Sequence, residues 1–140
     1  MIEQMGLGKA IEWLAQDLQR RSELGITTEI ALREDLPLST DQAECVFSVV
    51  QEALTNVARH ARASALCIRL EQDAERLKIA VEDDGVGIPE SITEGAGVGM
   101  ISIRERLAAN QGEVRWEASP SGGTRLLAWM QVLRGEKEAA

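Results

Sequence analysis

The sequence predicts an α+β fold, a two-layer sandwich with helices gathered on one face of a sheet. Two observations carry that prediction. Hydrophobic periodicity gives the order helix, strand, helix, two strands, helix, two strands, and both strand pairs are joined by short turns, as antiparallel neighbours are. A doubly wound nucleotide fold would alternate strand and helix throughout, and this chain does not. At 140 residues the length suits a single domain.

The elements follow in order. Leu7, Ile11, Leu14 and Leu18 fall at helical spacing, so residues 7–24 read as a helix stopped by Gly25, with an apolar stripe left exposed. Ile26 to Leu32 alternates as a strand. Beyond Pro37, the residues Ser39, Thr40 and Asp41 offer N-caps for a long helix. Its buried face is Ala43, Val46, Phe47, Val50, Leu54, Val57, Ala58 and Ala61. Leu66, Ile68 and Leu70 alternate in the next strand and Leu77, Ile79 and Val81 in its partner, with Asp73–Arg76 as the hairpin turn. Residues 84–99 hold five glycines and a proline and read as a loop or lid. Residues 100–110 return to helix. Val114–Ala118 and Thr124–Leu133 are strands joined by Ser119-Pro120-Ser121-Gly122-Gly123, and the chain frays from Gly135.

Composition excludes several function classes. The formal net charge is −8, which argues against non-specific binding to nucleic acid or anionic membrane, where Lys and Arg must cluster. It leaves phosphate binding open, because Mg²⁺, backbone N–H groups and a few local cations meet phosphates at any net charge. No apolar run is long enough to span a membrane, and no signal peptide is read at the N-terminus, so the cytoplasm is the expected compartment. Cys45 and Cys67 read as core thiols rather than a disulfide.

Four short patterns carry chemistry. On the polar face of the long helix Glu52, Asn56 and His60 recur every four residues. An Asn carbonyl suits Mg²⁺, a carboxylate one turn earlier can hold a metal-bound water or take a proton, and an imidazole one turn later can donate to phosphate. A solvated helix face would look the same. Next, Asp83-Asp84-Gly85-Val86-Gly87 follows a buried strand. A carboxylate there can accept from an exocyclic amine such as that of adenine, while the glycines let the backbone approach a flat ring; a surface turn is the plainer explanation. Third, Gly95-Ala96-Gly97-Val98-Gly99 runs into a helix, leaving amides free for phosphate oxygens. It is neither a Walker A loop nor the dinucleotide fingerprint. Last comes Gly122-Gly123-Thr124, which alone is a hairpin.

In this order the four patterns resemble the boxes of the GHKL ATP-binding family, which contains gyrase, heat-shock chaperones, histidine kinases and mismatch-repair ATPases. Gln51-Glu52-Ala53-Leu54-Thr55-Asn56-Val57-Ala58-Arg59-His60-Ala61 is similar to the first box of the sensor histidine kinases related to nitrate/nitrite sensors. Ile103-Arg104-Glu105-Arg106-Leu107 is similar to their segment after the lid, and Gly6-Leu7-Gly8-Lys9-Ala10-Ile11-Glu12-Trp13-Leu14 to the stretch joining their dimerisation helices to the ATP-binding domain. The resemblance runs from about Gly6 to Leu133. It implies the Bergerat fold, helices on a mixed, mainly antiparallel sheet.

It also implies roles. Asn56 ligates Mg²⁺ and Glu52 acts as base or water-holder beside it. Asp83 reads the adenine amine, with Gly85 and Gly87 beneath the ring and Thr124 supporting the contact through water. Gly97 and Gly99 face the phosphates, Arg59 and His60 contact them, and Arg104 is a further phosphate contact. ATP and Mg²⁺ are thus the expected ligands, and a protein-histidine kinase the expected activity. The implied domains are a helical connector at 1–25, the ATP-binding catalytic domain at 26–135 and a disordered tail at 136–140.

Departures from the family pattern are equally informative. The stretch between Gly87 and Gly97 is short and lacks a phenylalanine box, and no segment resembles the motif that carries the phosphoacceptor histidine. His60, the only histidine, sits inside the nucleotide box. The expected partners are therefore a phosphoacceptor-histidine dimerisation domain of the same full-length protein and a downstream response regulator. No nucleic acid or membrane contact is expected, and the fragment alone is expected to be a monomer. An anti-sigma-factor serine kinase and a nucleotide-dependent interaction module are the alternatives.

Overall fold

Residues 2–34, 38–86, 98–120 and 122–132 are described in the computed structural model of the chain. Helix α1 spans Ile2–Arg21 and is broken at Gly6, whose backbone (φ 83°, ψ 159°) is open to glycine almost alone. From Leu7 onward the apolar stripe Leu7, Ile11, Leu14 and Leu18 is buried, together with Ala10 and Ala15. The stripe expected to lie exposed is packed against α2 and β1 instead. A Cβ on Gly8 would stand 3.3 Å from Cγ2 of Ile30, so α1 meets the first strand closely. The helix ends at Arg21, short of residue 24, where the Ser22 hydroxyl donates to the Leu18 carbonyl at 2.7 Å.

Strand β1 (Gly25–Ala31) leads to α2 (Thr40–Asn56). The cap is Ser39, whose Oγ accepts from the Gln42 N–H at 3.1 Å. The inward face of α2 buries Val46, Val49, Val50, Ala53 and Leu54. Helical structure continues to Ala61 as expected, but Val57–Ala61 form a π-helical turn rather than α-helix. Arg62 closes that turn in the left-handed region, φ 51°.

Strands β2 (Ala65–Gln72) and β3 (Arg76–Asp83) form the first hairpin. Its turn is held by Asp73, whose Oδ1 accepts from the Glu75 and Arg76 N–H groups, both at 2.8 Å. Helix α3 (Val98–Ala108) begins two residues before position 100, and β4 (Gly112–Ala118) and β5 (Thr124–Gln131) make the second hairpin. Strand order is β1-β2-β3-β5-β4. Among the described residues only the β1–β2 pair is parallel, because α2 crosses over between them; the other strand pairs are antiparallel. The mixed, mainly antiparallel α+β sandwich is the one the sequence predicts.

The core lies between the helices and the inner sheet face. Ile11, Ile68, Leu70, Leu77, Ile79, Ile103, Leu107 and Met130 are fully buried in it, each contributing roughly 1.5–3 kcal/mol by removal from water. Gln42 is buried as well, its Nε2 donating to the Gln131 carbonyl at 2.6 Å. Both cysteines are free, Cys45 buried and Cys67 half-buried. No helix among the described residues is long and apolar enough to cross a membrane.

Candidate functional site

Strand and helix directions decide what can meet. The Gln42–Gln131 hydrogen bond fixes the start of α2 at the end of the sheet where Arg76 pairs with Gln131. From there α2 runs towards the other end, where Asp83 closes β3, Ala65 opens β2 and Thr124 opens β5. Helix α3 runs the opposite way, since the Cys45 thiol near the start of α2 donates to the Arg106 carbonyl at 3.5 Å near the end of α3. The first residues of α3 therefore face the Asn56 end of α2. Asn56, Asp83, Gly85, Gly99 and Thr124, from four separate stretches of sequence, share one end of the sandwich.

Among the described residues Asp83 is the buried carboxylate of this end. It continues the inward alternation of Leu77, Ile79 and Val81, and it is 4% exposed. Its Oδ1 accepts from the Gly85 N–H at 2.8 Å and from the Thr124 N–H at 3.4 Å. Burial pushes its carboxyl above the ordinary aspartate range, and the neighbouring charges of Asp84 and Glu82 push the same way against those two N–H groups. Gly123 packs directly on this carboxylate. A Cβ there would overlap the Asp83 carbonyl oxygen and stand 2.5 Å from both Asp83 Oδ1 and the Gly85 nitrogen.

Asp84 points elsewhere and does different work. It accepts from the Ser64 N–H and hydroxyl, both at 2.8 Å, and from the Ala65 N–H at 2.9 Å. These bonds, led by the Ala65 amide, hold its carboxyl below the ordinary range. Asp84 thus ties the end of β3 to the chain leaving the π-helical turn, which keeps the end of α2 beside Asp83.

Glu52 and Asn56 are both half-buried and one α-helical turn apart. His60 does not extend that α-helical stripe, because it lies in the π-helical turn, where bonding between residues five apart alters the rotation per residue. The side chain of His60 lies outside the described part of the structure, as do Gly87 and Gly97. Arg59 is exposed in the same turn. Arg104 sits over the Trp116 ring, 5.7 Å from its centroid. Thr124 is half-buried at the mouth of β5.

Among the described residues no three His, Cys, Asp or Glu side chains group as a metal site. Asn56 is nevertheless compatible with Mg²⁺. Its amide, on the last residue of α2, makes no capping hydrogen bond. It offers one hard oxygen with Glu52 a turn behind, and Mg²⁺ takes one or two protein oxygens and completes its shell with water and phosphate.

Sequence reasoning missed two parts of the site. Gly123 carried a signal, the Gly-Gly step before Thr124, but the neighbour that excludes a side chain lies 40 residues upstream. The second is behind the sheet. Glu82 accepts from the Ser119 hydroxyl at 2.5 Å and pairs with Arg125 at 3.3 Å, and Arg125 also pairs with Glu117 at 3.1 Å. No local pattern marks that cluster.

Comparison with known proteins shows the family and the fold. The family described as histidine kinase-, DNA gyrase B-, and HSP90-like ATPase matches residues 41–134. The sensor histidine kinase NarS of Mycobacterium tuberculosis is 36% identical over 87% of this chain and 29% of its own length. The signal transduction histidine-protein kinase/phosphatase UhpB of Salmonella typhimurium is 34% identical over 89% of this chain and 24% of its own. The chain therefore spans less than a third of the curated relatives it matches. Among solved structures, the ATP-binding domain of PrrB from Mycobacterium tuberculosis superposes with a TM-score of 0.71 at 20% identity, covering 89% of this chain and 93% of that one. That likeness is one of fold.

Proposed function

This chain belongs to the histidine kinase-, DNA gyrase B-, and HSP90-like ATPase family, and from that premise we propose that it is the ATP-binding catalytic unit of a sensor histidine kinase. It binds Mg²⁺–ATP and presents the γ-phosphate to a histidine on a separate dimerisation domain of the same full-length protein. The phosphoryl group then passes to a response regulator. Residues 1–25 connect that domain to the catalytic unit at 26–135, with a tail at 136–140, and the unit works in the cytoplasm.

The observation that carries the reading is Asp83, a buried carboxylate at a strand end with Gly85 and Gly123 keeping the backbone close. Adenine offers the 6-amino donor that such a group recognises, and Thr124 supports the contact through water. Gly85 and Gly87 are the residues that would let the backbone pass beneath the ring. At the far end of the nucleotide, Gly97, Gly99, Arg59 and His60 are the residues that would meet the phosphates, and Arg104 would add a further contact. Asn56, with Glu52 a turn behind it, would hold Mg²⁺, which supplies neutralisation of phosphate charge. Glu52 holds a water or accepts a proton. Phosphoryl transfer needs little more from a protein than positioning and charge compensation.

Incubation with γ-labelled ATP and a dimerisation domain carrying a histidine tests this. The expected label is on that partner, acid-labile and alkali-stable. Acid-stable label on a serine partner would establish an anti-sigma-type serine kinase instead. Nucleotide binding without transfer to any partner would establish an interaction module. Asn56→Asp should abolish transfer while leaving nucleotide affinity largely intact.

A further inference from the structure

Glu82 and Asp83 are adjacent in β3 and so point to opposite faces of the sheet. The inward carboxylate, Asp83, meets Gly85, Gly123 and Thr124. The outward one, Glu82, accepts from the Ser119 hydroxyl at 2.5 Å and pairs with Arg125, which is held from its other side by Glu117. Ser119 is 6% exposed, although it sits at a turn. Its N–H donates to the Gly123 carbonyl at 2.8 Å, and its own carbonyl accepts from the Gly122 N–H at 2.9 Å. One serine therefore grips both the far face of β3 and the glycine that lies on Asp83.

We propose that Ser119 and Glu82 are positioning residues for the Asp83 carboxylate, acting from behind the sheet. The β4–β5 turn has to lie flat on the end of β3 for Gly123 and the Thr124 N–H to fix Asp83. The Ser119–Glu82 bond, braced by Arg125, holds it there. Without that bond the turn lifts, the Thr124 N–H leaves a contact already long at 3.4 Å, and the carboxylate loses its fixed direction. Neither Ser119 nor Glu82 touches the nucleotide. Both decide how well Asp83 distinguishes an amine from a carbonyl at position 6 of a purine. The inference rests on Asp83 as the adenine reader.

The test is calorimetric titration of the 140-residue chain with Mg–ATP and Mg–ITP, since inosine carries a 6-oxo group where adenosine carries an amine. The parent chain prefers ATP. Asp83→Asn lowers that preference by about 10- to 100-fold, the range of a hydrogen bond to a charged group. Ser119→Ala and Glu82→Ala each lower it by about 3- to 10-fold, leaving ITP affinity within about twofold. Ser119→Thr, which keeps the hydroxyl, restores it. If Asp83→Asn loses the preference while Ser119→Ala and Glu82→Ala keep it, the positioning role is wrong and the adenine reading stands. Equal losses for ATP and ITP reduce Ser119 to a fold contact and overturn the proposal. An unchanged preference in Asp83→Asn removes the adenine reading and the proposal with it. Should Ser119→Ala not fold, Glu82→Ala decides alone.

Discussion

Gly123 lies against Asp83 so closely that a single added methyl group would overlap the aspartate's carbonyl oxygen. Gly123 ends the turn that leads into β5 and Asp83 ends β3, the antiparallel neighbour of β5, at the end where the nucleotide boxes gather. Gly122, its neighbour, is a glycine for a different reason. Its φ is 101°, and a Cβ there would meet nothing within 4 Å.

That contrast gives the first prediction. Gly123→Ala forces the turn away from β3, with an overpacking cost of about 1–3 kcal/mol and a loss of ATP affinity. Gly122→Ala strains only its own backbone, by roughly 1 kcal/mol, and leaves ATP affinity unchanged. Urea unfolding and nucleotide titration of both variants check it. Equal ATP affinity in the two would mean that contact with Asp83 is irrelevant to binding.

The two neighbouring carboxylates should respond to pH in opposite senses. Asp83 is pushed up by burial, so the folded state favours its proton. Its contribution to stability is fully present in acid and is lost as pH rises from the unfolded value through the raised one. ATP recognition needs the carboxylate, so affinity should fall on acidification at a higher pH than an exposed aspartate would give. Asp84 is held down by hydrogen bonds from Ala65 and Ser64. Its contribution is present above the ordinary carboxylate range and disappears as pH falls through its lowered value. Unfolding of the parent chain and Asp84→Ala from neutral to acid pH should show the gap between them closing in acid. Asp84→Asn, which keeps one acceptor oxygen, should be milder.

Ser39 caps the helix that carries Glu52 and Asn56. Ser39→Ala should cost about 1 kcal/mol, read as a lower Tm, and Ser39→Asp should hold the parent value. ATP affinity should be unchanged at temperatures where the variant is folded, because the cap lies at the opposite end of α2 from Asn56.

Much of this architecture was legible because it is local. Strand alternation at Leu66–Leu70 and Leu77–Val81, the Asp73 turn and the Ser39 cap depend on residues a few positions apart. What escaped depends on distant partners. The α1 stripe looked exposed because nothing in Leu7–Leu18 says that α2 and β1 cover it. Val57–Ala61 keep a helical pattern of apolar residues, and their π-helical turn leads into a left-handed Arg62 and the Ser64–Asp84 tie, 20 residues apart. Glu82 and Ser119 are 37 residues apart and neither is unusual in its own strand or turn. Asp83 and Asp84 look alike in sequence, and only burial separates one as the inward carboxylate and the other as a brace.

Amide chemical-shift mapping on the isotopically labelled chain, with and without Mg–ATP, tests the site most directly. The largest shifts should fall on Asn56, Gly85, Gly99 and Thr124, with Glu29, Arg69 and Lys78 on the outer sheet face unmoved. Shifts centred on that outer face, or none at saturating nucleotide, would contradict an ATP site at the Asp83 end of the fold.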